Sequence, residues 1–256
     1  MLTRMATPLI AGNWKMNKLV SDAVPWVESL LERLQQQPRA REELLLLVPF
    51  THIHPLAEKL RGSQVRLGAQ DLSQHDSGAY TGEVSGAMLR DAGADFVLVG
   101  HSERRQYHQE NDFIINAKMR AAQRQWLIPI LCIGETAQQR DEGQENGVVI
   151  GQLENALDGL EFATARELVI AYEPVWSIGT GRTATAEDAQ AMCSLIRTWL
   201  QDRMPAVADK VRILYGGSMK PSNSNELLAQ PDINGGLIGG ASLELDDLLA
   251  IHASAS

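Results

Sequence analysis

Cysteine is almost absent from this chain. Cys132 and Cys193 are too few for a disulfide framework, and they fall in a strand-like and a helix-like stretch. That usage suits a reducing cytoplasm. Met1 to Thr7 lacks the apolar segment of a secretory signal. No apolar run approaches the roughly 20 residues that a membrane helix needs, so no membrane partner is expected. Positive charge is also short: Lys and Arg total 23 against 32 Asp and Glu, a formal net charge of -9. Such a surface disfavours nucleic acid, and an anionic substrate has to be captured by a local positive site. No linker or low-complexity tract interrupts the 256 residues, and no Gly-x-Gly-x-x-Gly follows the first apolar run. The last absence ranks an open, doubly wound sheet well below a closed one.

Short apolar runs alternate with amphipathic stretches from end to end. The predicted strands are Leu9–Ala11, Leu44–Val48, Val65–Gln70, Phe96–Val99, Leu127–Cys132, Leu168–Ala171, Val211–Tyr215 and Gly236–Ile238. Helices are predicted between them, including about Ser21–Gln36, Ala186–Arg203 and Ala241–His252. Eight strands, each followed by a helix, predict one domain over residues 1–256, a (β/α)8 parallel barrel. Residues 1–6 are expected to form a flexible extension, with Met5 an alternative start, and residues 253–256 to fray.

In such a barrel the chemistry sits where strands end and loops begin. The chain is organised around Ala171 to Thr185. Glu173 follows a buried run, and Pro174 biases it to extended backbone. The segment Pro174-Val175-Trp176-Ser177-Ile178-Gly179-Thr180-Gly181-Arg182-Thr183-Ala184 has a stiff start, a glycine-bearing tip and a second hinge, the parts of a lid. Thr185 is expected to cap the next helix, with Asp188 completing a capping box. After the first strand, Asn13 and Lys15 are two apart, so extended backbone points both to one side. After the fourth, His101 precedes a helix that Ser102 can cap, and a backbone N–H there favours the neutral imidazole. Glu103 is read as a partner of Lys15. Ser218 follows Gly216-Gly217, and Gly239 and Gly240 follow the eighth strand; such loops let amides approach an anion.

These runs together carry a resemblance. Asn-x-Lys, Gly-His-Ser-Glu-Arg-Arg, Ala-Tyr-Glu-Pro-Val-Trp, Tyr-Gly-Gly-Ser and Gly-Gly-Leu-Ile-Gly-Gly-Ala-Ser-Leu stand at successive strand ends. With Leu131 to Thr136 and Gly78 to Glu83 added, residues 8 to 252 closely resemble the triosephosphate isomerase family. The resemblance implies a TIM barrel that interconverts dihydroxyacetone phosphate and glyceraldehyde 3-phosphate in glycolysis and gluconeogenesis, without metal or organic cofactor. It implies Glu173 as base, His101 as neutral electrophile, Lys15 and Asn13 as oxyanion stabilisers, and Gly179, Ser218, Gly239 and Gly240 as phosphate ligands. The glutamate and histidine roles are the family's established assignment, not a derivation from spacing. It also implies a homodimer through the loop Asp71–Ser85, with Thr81 beside the partner subunit's first-strand donors. Ile178 and Leu237 are apolar neighbours that can desolvate Glu173 and raise its basicity. Ser177, Arg182 and Asn234 depart from the family's usual Ala, Lys and Asp, and are expected to bear on lid kinetics. Two rival readings remain on the same barrel. A Schiff-base aldolase needs a lysine deep in a late strand, and strands five to seven have none. An inactive phosphate-binding scaffold predicts damage to the Glu173–His101 pair, and both residues are present.

Overall fold

The computed structural model describes residues 6–36, 42–178 and 184–255. Eight strands form a closed parallel barrel in sequence order: β1 Leu9–Asn13, β2 Glu43–Val48, β3 Arg66–Ala69, β4 Phe96–Val99, β5 Ile128–Ile133, β6 Val169–Tyr172, β7 Arg212–Tyr215 and β8 Gly235–Ile238. β8 closes on β1, with Leu9 opposite Gly235 and Gly12 opposite Ile238. The surrounding helices are α1 Val20–Gln35, α2 Phe50–Leu60, α3 Gly86–Ala92, α4 Ser102–Tyr107, α5 Asp112–Arg124, α6 Ala137–Asp141, α7 Glu145–Leu157, α8 Ala186–Arg203, α9 Ser224–Leu228 and α10 Leu245–Ala253.

The strands read as unbroken apolar runs because both their faces are buried. Alternation splits them between two cores. Leu45, Leu47, Leu98, Ile130, Ala171 and Leu214 fill the barrel interior. Leu44, Leu46, Val97, Leu131, Ile170 and Ile213 face outward and pack under the helices. Each fully buried Leu, Ile or Val contributes roughly 1.5–3 kcal/mol relative to exposure. The interior layer therefore both stabilises the barrel and fixes the height of each strand end.

Most boundaries shift by a residue from the sequence reading, and two differences are physical. β3 stops at Ala69 because Gln70 leaves the ladder and spends its side-chain amide on the carbonyls of Lys15 (2.9 Å) and Leu47 (3.0 Å). The expected helix Ala241–His252 is two pieces, a 3-10 turn Gly240–Leu243 and then α10. Ser242 closes the turn by donating its N–H (2.9 Å) and hydroxyl (2.7 Å) to the Gly239 carbonyl. Glu244, at φ -99° and ψ 118°, is extended and separates the pieces. The capping box at α8 forms as read: Thr185 Oγ1 accepts from the Asp188 N–H (3.1 Å), and Asp188 accepts from the Thr185 N–H (3.2 Å).

Candidate active site

At the end of β1 the buried Trp14 anchors the turn, packed edge-on to Trp26 at 5.0 Å. Lys15 then takes φ 53°. That left-handed conformation costs a lysine about 1–2 kcal/mol. The Lys15 N–H donates to Asn13 Oδ1 (3.0 Å), and Gln70 holds the Lys15 carbonyl. Asn13 and Lys15 thus converge through a strained turn rather than the extended backbone expected from their spacing. Lys15 Nζ donates to Glu103 Oε1 at 2.5 Å, the pairing read from the sequence. Both side chains are part-exposed, so the bridge orients Lys15 more than it stabilises the fold.

At the end of β4, His101 itself caps α4, and Ser102 is the first helical residue rather than the cap. His101 Nδ1 accepts the Glu103 N–H at 3.3 Å. An imidazole accepting at Nδ1 carries its proton on Nε2. Nε2 lies 2.9 Å from Glu173 Oε1, and Asn13 Nδ2 is 3.4 Å from it.

Glu173 stands one residue past β6 and is 2% exposed. Its backbone continues the ladder, N–H to the Ile133 carbonyl at 2.7 Å. Two glycines make room for it. A Cβ on Gly134 would sit 1.7 Å from the Glu173 carbonyl oxygen, and one on Gly216 would sit 2.9 Å from Glu173 Cγ. The second carboxylate oxygen accepts the Ser102 N–H at 2.9 Å. Burial pushes the Glu173 carboxyl up, but His101, the Ser102 amide and Lys15 together hold it below the usual carboxylate range. Burial likewise opposes charging His101, while the Glu173 carboxylate outweighs it and raises the imidazole. In the resting pair each group shifts the other toward its charged form, while the Glu103 N–H at Nδ1 opposes charging the imidazole. The raised basicity expected for Glu173 is not a property of this resting arrangement, because its carboxylate is held by His101 and the Ser102 amide with the Lys15 charge nearby.

Beyond Glu173, Pro174 leads into a 3-10 turn, Val175–Ser177. Ser177 donates its N–H (2.8 Å) and its hydroxyl (3.0 Å) to the Pro174 carbonyl. Glu135, from the loop after β5 and fully buried, accepts from Trp176 Nε1 (2.7 Å), the Tyr172 hydroxyl (2.9 Å) and Arg140 (3.2 Å). The Arg140 guanidinium also lies 4.5 Å above the Trp176 ring. The turn after Glu173 is therefore tied to the barrel through one carboxylate. Gly179, Thr180, Gly181, Arg182 and Thr183, which include the expected phosphate ligand Gly179, lie outside the described residues. Ala184 is buried and leads into the Thr185 cap.

Asn13, Lys15, His101, Glu173, Ser218, Gly239 and Gly240 all line one cavity of about 900 Å³, with Ile178 and Leu237 as its apolar wall. Glu103 acts through Lys15 and does not line it. Thr81 is exposed on the loop after β3 and is not brought to the cavity of its own chain. Sequence reading missed three contributors. The Ser102 amide holds Glu173, Glu135 holds the hinge, and Gln70 holds the Lys15 turn. Ser102 and Glu135 lay in runs already noted and Gln70 ended a predicted strand, but nothing in the sequence named their partners. Among the described residues no three His, Cys, Asp or Glu side chains cluster as a metal site.

The family model described as triosephosphate isomerase matches residues 8–255. The chain belongs to the triosephosphate isomerase family. It is 51% identical over 247 residues to the triosephosphate isomerase of Moorella thermoacetica, covering 96% of this chain and 98% of that one. It is 47% identical over 252 residues to the enzyme of Saccharopolyspora erythraea, covering 97% of each. The crystal structure of triosephosphate isomerase from Bartonella henselae superposes with a TM-score of 0.87 at 40% identity, over 96% of this chain and 98% of that one.

Of the three departures from the family pattern, Arg182 lies outside the described residues. Ser177 closes the hinge turn, as above. Asn234 is not a lid residue. It precedes β8 at the end of the barrel opposite the cavity, where its Oδ1 accepts from buried Arg197 (2.6 Å) and the Ile213 N–H (3.1 Å). Asp232 lies 3.5 Å from Arg197 and supplies the negative charge. The Asp-to-Asn departure therefore bears on barrel packing.

Proposed function

We propose that this chain interconverts dihydroxyacetone phosphate and glyceraldehyde 3-phosphate through an enediolate, with Glu173 as the base. One observation carries the reading: a buried carboxylate is suspended between the Ser102 amide and His101, each at 2.9 Å, at the wall of a cavity that also presents Asn13 and Lys15. Glu173 takes a proton from the carbon next to the carbonyl. The C–H electron pair becomes the enediolate double bond, and charge moves onto oxygen. His101 Nε2–H, Lys15 and Asn13 donate to those oxygens, and return of the proton to the neighbouring carbon gives the isomer. One preorganised donor of this kind is typically worth ~10²–10³ in rate.

The resting pair has a further consequence. A substrate that enters between Glu173 and His101 removes the carboxylate that raises the imidazole. Burial and the Glu103 amide then favour neutral imidazole, and Glu173, facing Ile178 and Leu237, becomes a stronger base. Ser218, Gly239 and Gly240, with Gly179, are proposed to hold the phosphate, and residues 174–184 to close over it.

The same reading takes residues 1–256 as one barrel domain acting in glycolysis and gluconeogenesis, without cofactor, in the cytoplasm. Two buried, unbridged cysteines are compatible with that compartment. It takes the active form as a homodimer built through Thr81 and its loop. Met16, beside Lys15, is 95% exposed, Tyr80, beside Thr81, is 45% exposed, and Met88 is 58% exposed. Large apolar side chains so open on a single chain suit burial by a second copy. An isomerase assay on the purified chain with each triose phosphate tests the activity. Covalent trapping by borohydride in place of isomerisation would replace it with the aldolase reading, and activity in neither test would leave a binding scaffold.

A further inference from the structure

A second cavity of about 900 Å³ opens at the other mouth of the barrel, where the strands begin. Its floor follows from strand alternation. Glu43 is two residues before interior Leu45, Arg66 two before Gly68, and Arg212 two before interior Leu214. All three side chains therefore project into the barrel at its lowest layer. The Arg66 and Arg212 guanidiniums lie 5.9 Å and 5.8 Å from the centre of the Phe96 ring, on which they rest. Glu43 pairs with Arg212, and Asp95 pairs with Arg66 at 2.9 Å. Two guanidiniums are thus fixed in place before any ligand arrives.

The rim adds charge without compensation. Arg166 and Lys210 line the same cavity, are exposed, and have no ion partner among the described residues. With Asp95 counted beside Arg66, four cations face three carboxylates, Glu42, Glu43 and Asp95, in a chain whose overall charge is -9. Arg66 Nε is buried and lies 3.8 Å from Glu43 Oε1, so Glu43 stands between the two guanidiniums.

We propose that this mouth binds a small polyphosphate anion. Planar guanidiniums at the floor match phosphate oxygens in paired geometry, and the two rim cations reach a second phosphate. A monovalent anion engages only one half of the site. The site is independent of the isomerase cavity, from which the whole barrel length separates it.

The test is calorimetric titration of the full chain with inorganic pyrophosphate, with the isomerase cavity saturated by a non-isomerisable triose phosphate analogue. The wild-type chain is expected to bind, more weakly as salt rises. Arg166→Glu with Lys210→Glu should weaken binding by roughly tenfold or more, because two rim contacts turn repulsive. Isomerase kcat and KM should stay unchanged. Arg166→Gln with Lys210→Gln, which removes charge at two exposed positions without reversing it, should give an intermediate loss. A parallel titration with a nucleoside triphosphate separates sources: tighter binding than pyrophosphate names the nucleotide, equal or weaker binding names the bare polyphosphate. No heat at millimolar pyrophosphate in the wild-type chain, or equal binding by the charge-reversed variant, overturns the proposal.

Discussion

Length and basicity of the proposed base can be separated by two substitutions at one position. Glu173→Gln keeps the side-chain length, and its amide oxygen can still accept from Ser102 or His101. It removes the base. Glu173→Asp keeps a carboxylate and withdraws it by one carbon–carbon bond, about 1.5 Å. Both 2.9 Å contacts, to the Ser102 amide and to His101, then stretch beyond hydrogen-bond range. A misplacement of about 1 Å can cost ~10² in rate, so Asp should lower kcat by ~10²–10³, or about 2.7–4 kcal/mol in the barrier. Gln should lose the general-base factor of ~10²–10⁴. Neither change touches Ser218, Gly239 or Gly240, so KM should move by less than about threefold. The assay is steady-state isomerisation in both directions, paired with exchange of solvent deuterium into substrate. Exchange and isomerisation should fall together, because both begin with the same proton. Near-native kcat in the Gln variant, or a loss confined to KM in either variant, would refute the assignment.

The Glu173–His101 pair should stabilise the fold most between the ordinary carboxyl and imidazole values. The depressed Glu173 contributes above the ordinary carboxyl value of 4.5 and loses this as pH falls through its folded value; the raised His101 contributes below the ordinary imidazole value of 6.5 and loses it as pH rises through its folded value. The stability gap between wild type and His101→Gln, from denaturant melts, should therefore be widest at about pH 4.5–6.5, and a flat gap contradicts it. Arg197→Leu should cost about 3–5 kcal/mol by chemical denaturation, because it strips partners from the Val211 carbonyl, Asn234 and Asp232; a loss under about 1 kcal/mol contradicts the buried network. Sedimentation at assay concentration should find the active form dimeric, and a fully active monomer would remove Thr81 from its proposed role. Shortening residues 178–180 should raise inorganic phosphate released per isomer formed, because an open cavity lets the intermediate eliminate; a slower variant with an unchanged ratio leaves the lid acting on rate alone.

Features made by neighbours in sequence were legible in advance. The Thr185–Asp188 box needs two residues three apart, and the buried strands need only a short apolar run. Features made across the barrel were not. The Ser102 amide and Glu173 come from different strands, and no local pattern pairs them. Glu135 reads as one more acidic residue until β5 and β6 bring it to Trp176 and Tyr172. The Asn13–Lys15 geometry was missed for another reason: alternation assumes extended backbone, and the chain leaves it at Lys15. The break at Glu244 was hidden because the apolar spacing continues across it. The charged floor escaped because Glu43, Arg66 and Arg212 belong to three strands and gather only when the sheet closes.

The two glycines that flank Glu173 change how a mutational survey of this chain should be interpreted. Neither Gly134 nor Gly216 has a side chain to offer, yet one added carbon at position 134 would overlap the backbone that carries the carboxylate. Alanine there should silence turnover as thoroughly as removing a reacting group, while leaving Glu173 and His101 in the chain. A scan scored by activity alone would count these positions among the catalysts. What they contribute is emptiness, and the shape of that emptiness sets how far the carboxylate stands above the barrel floor.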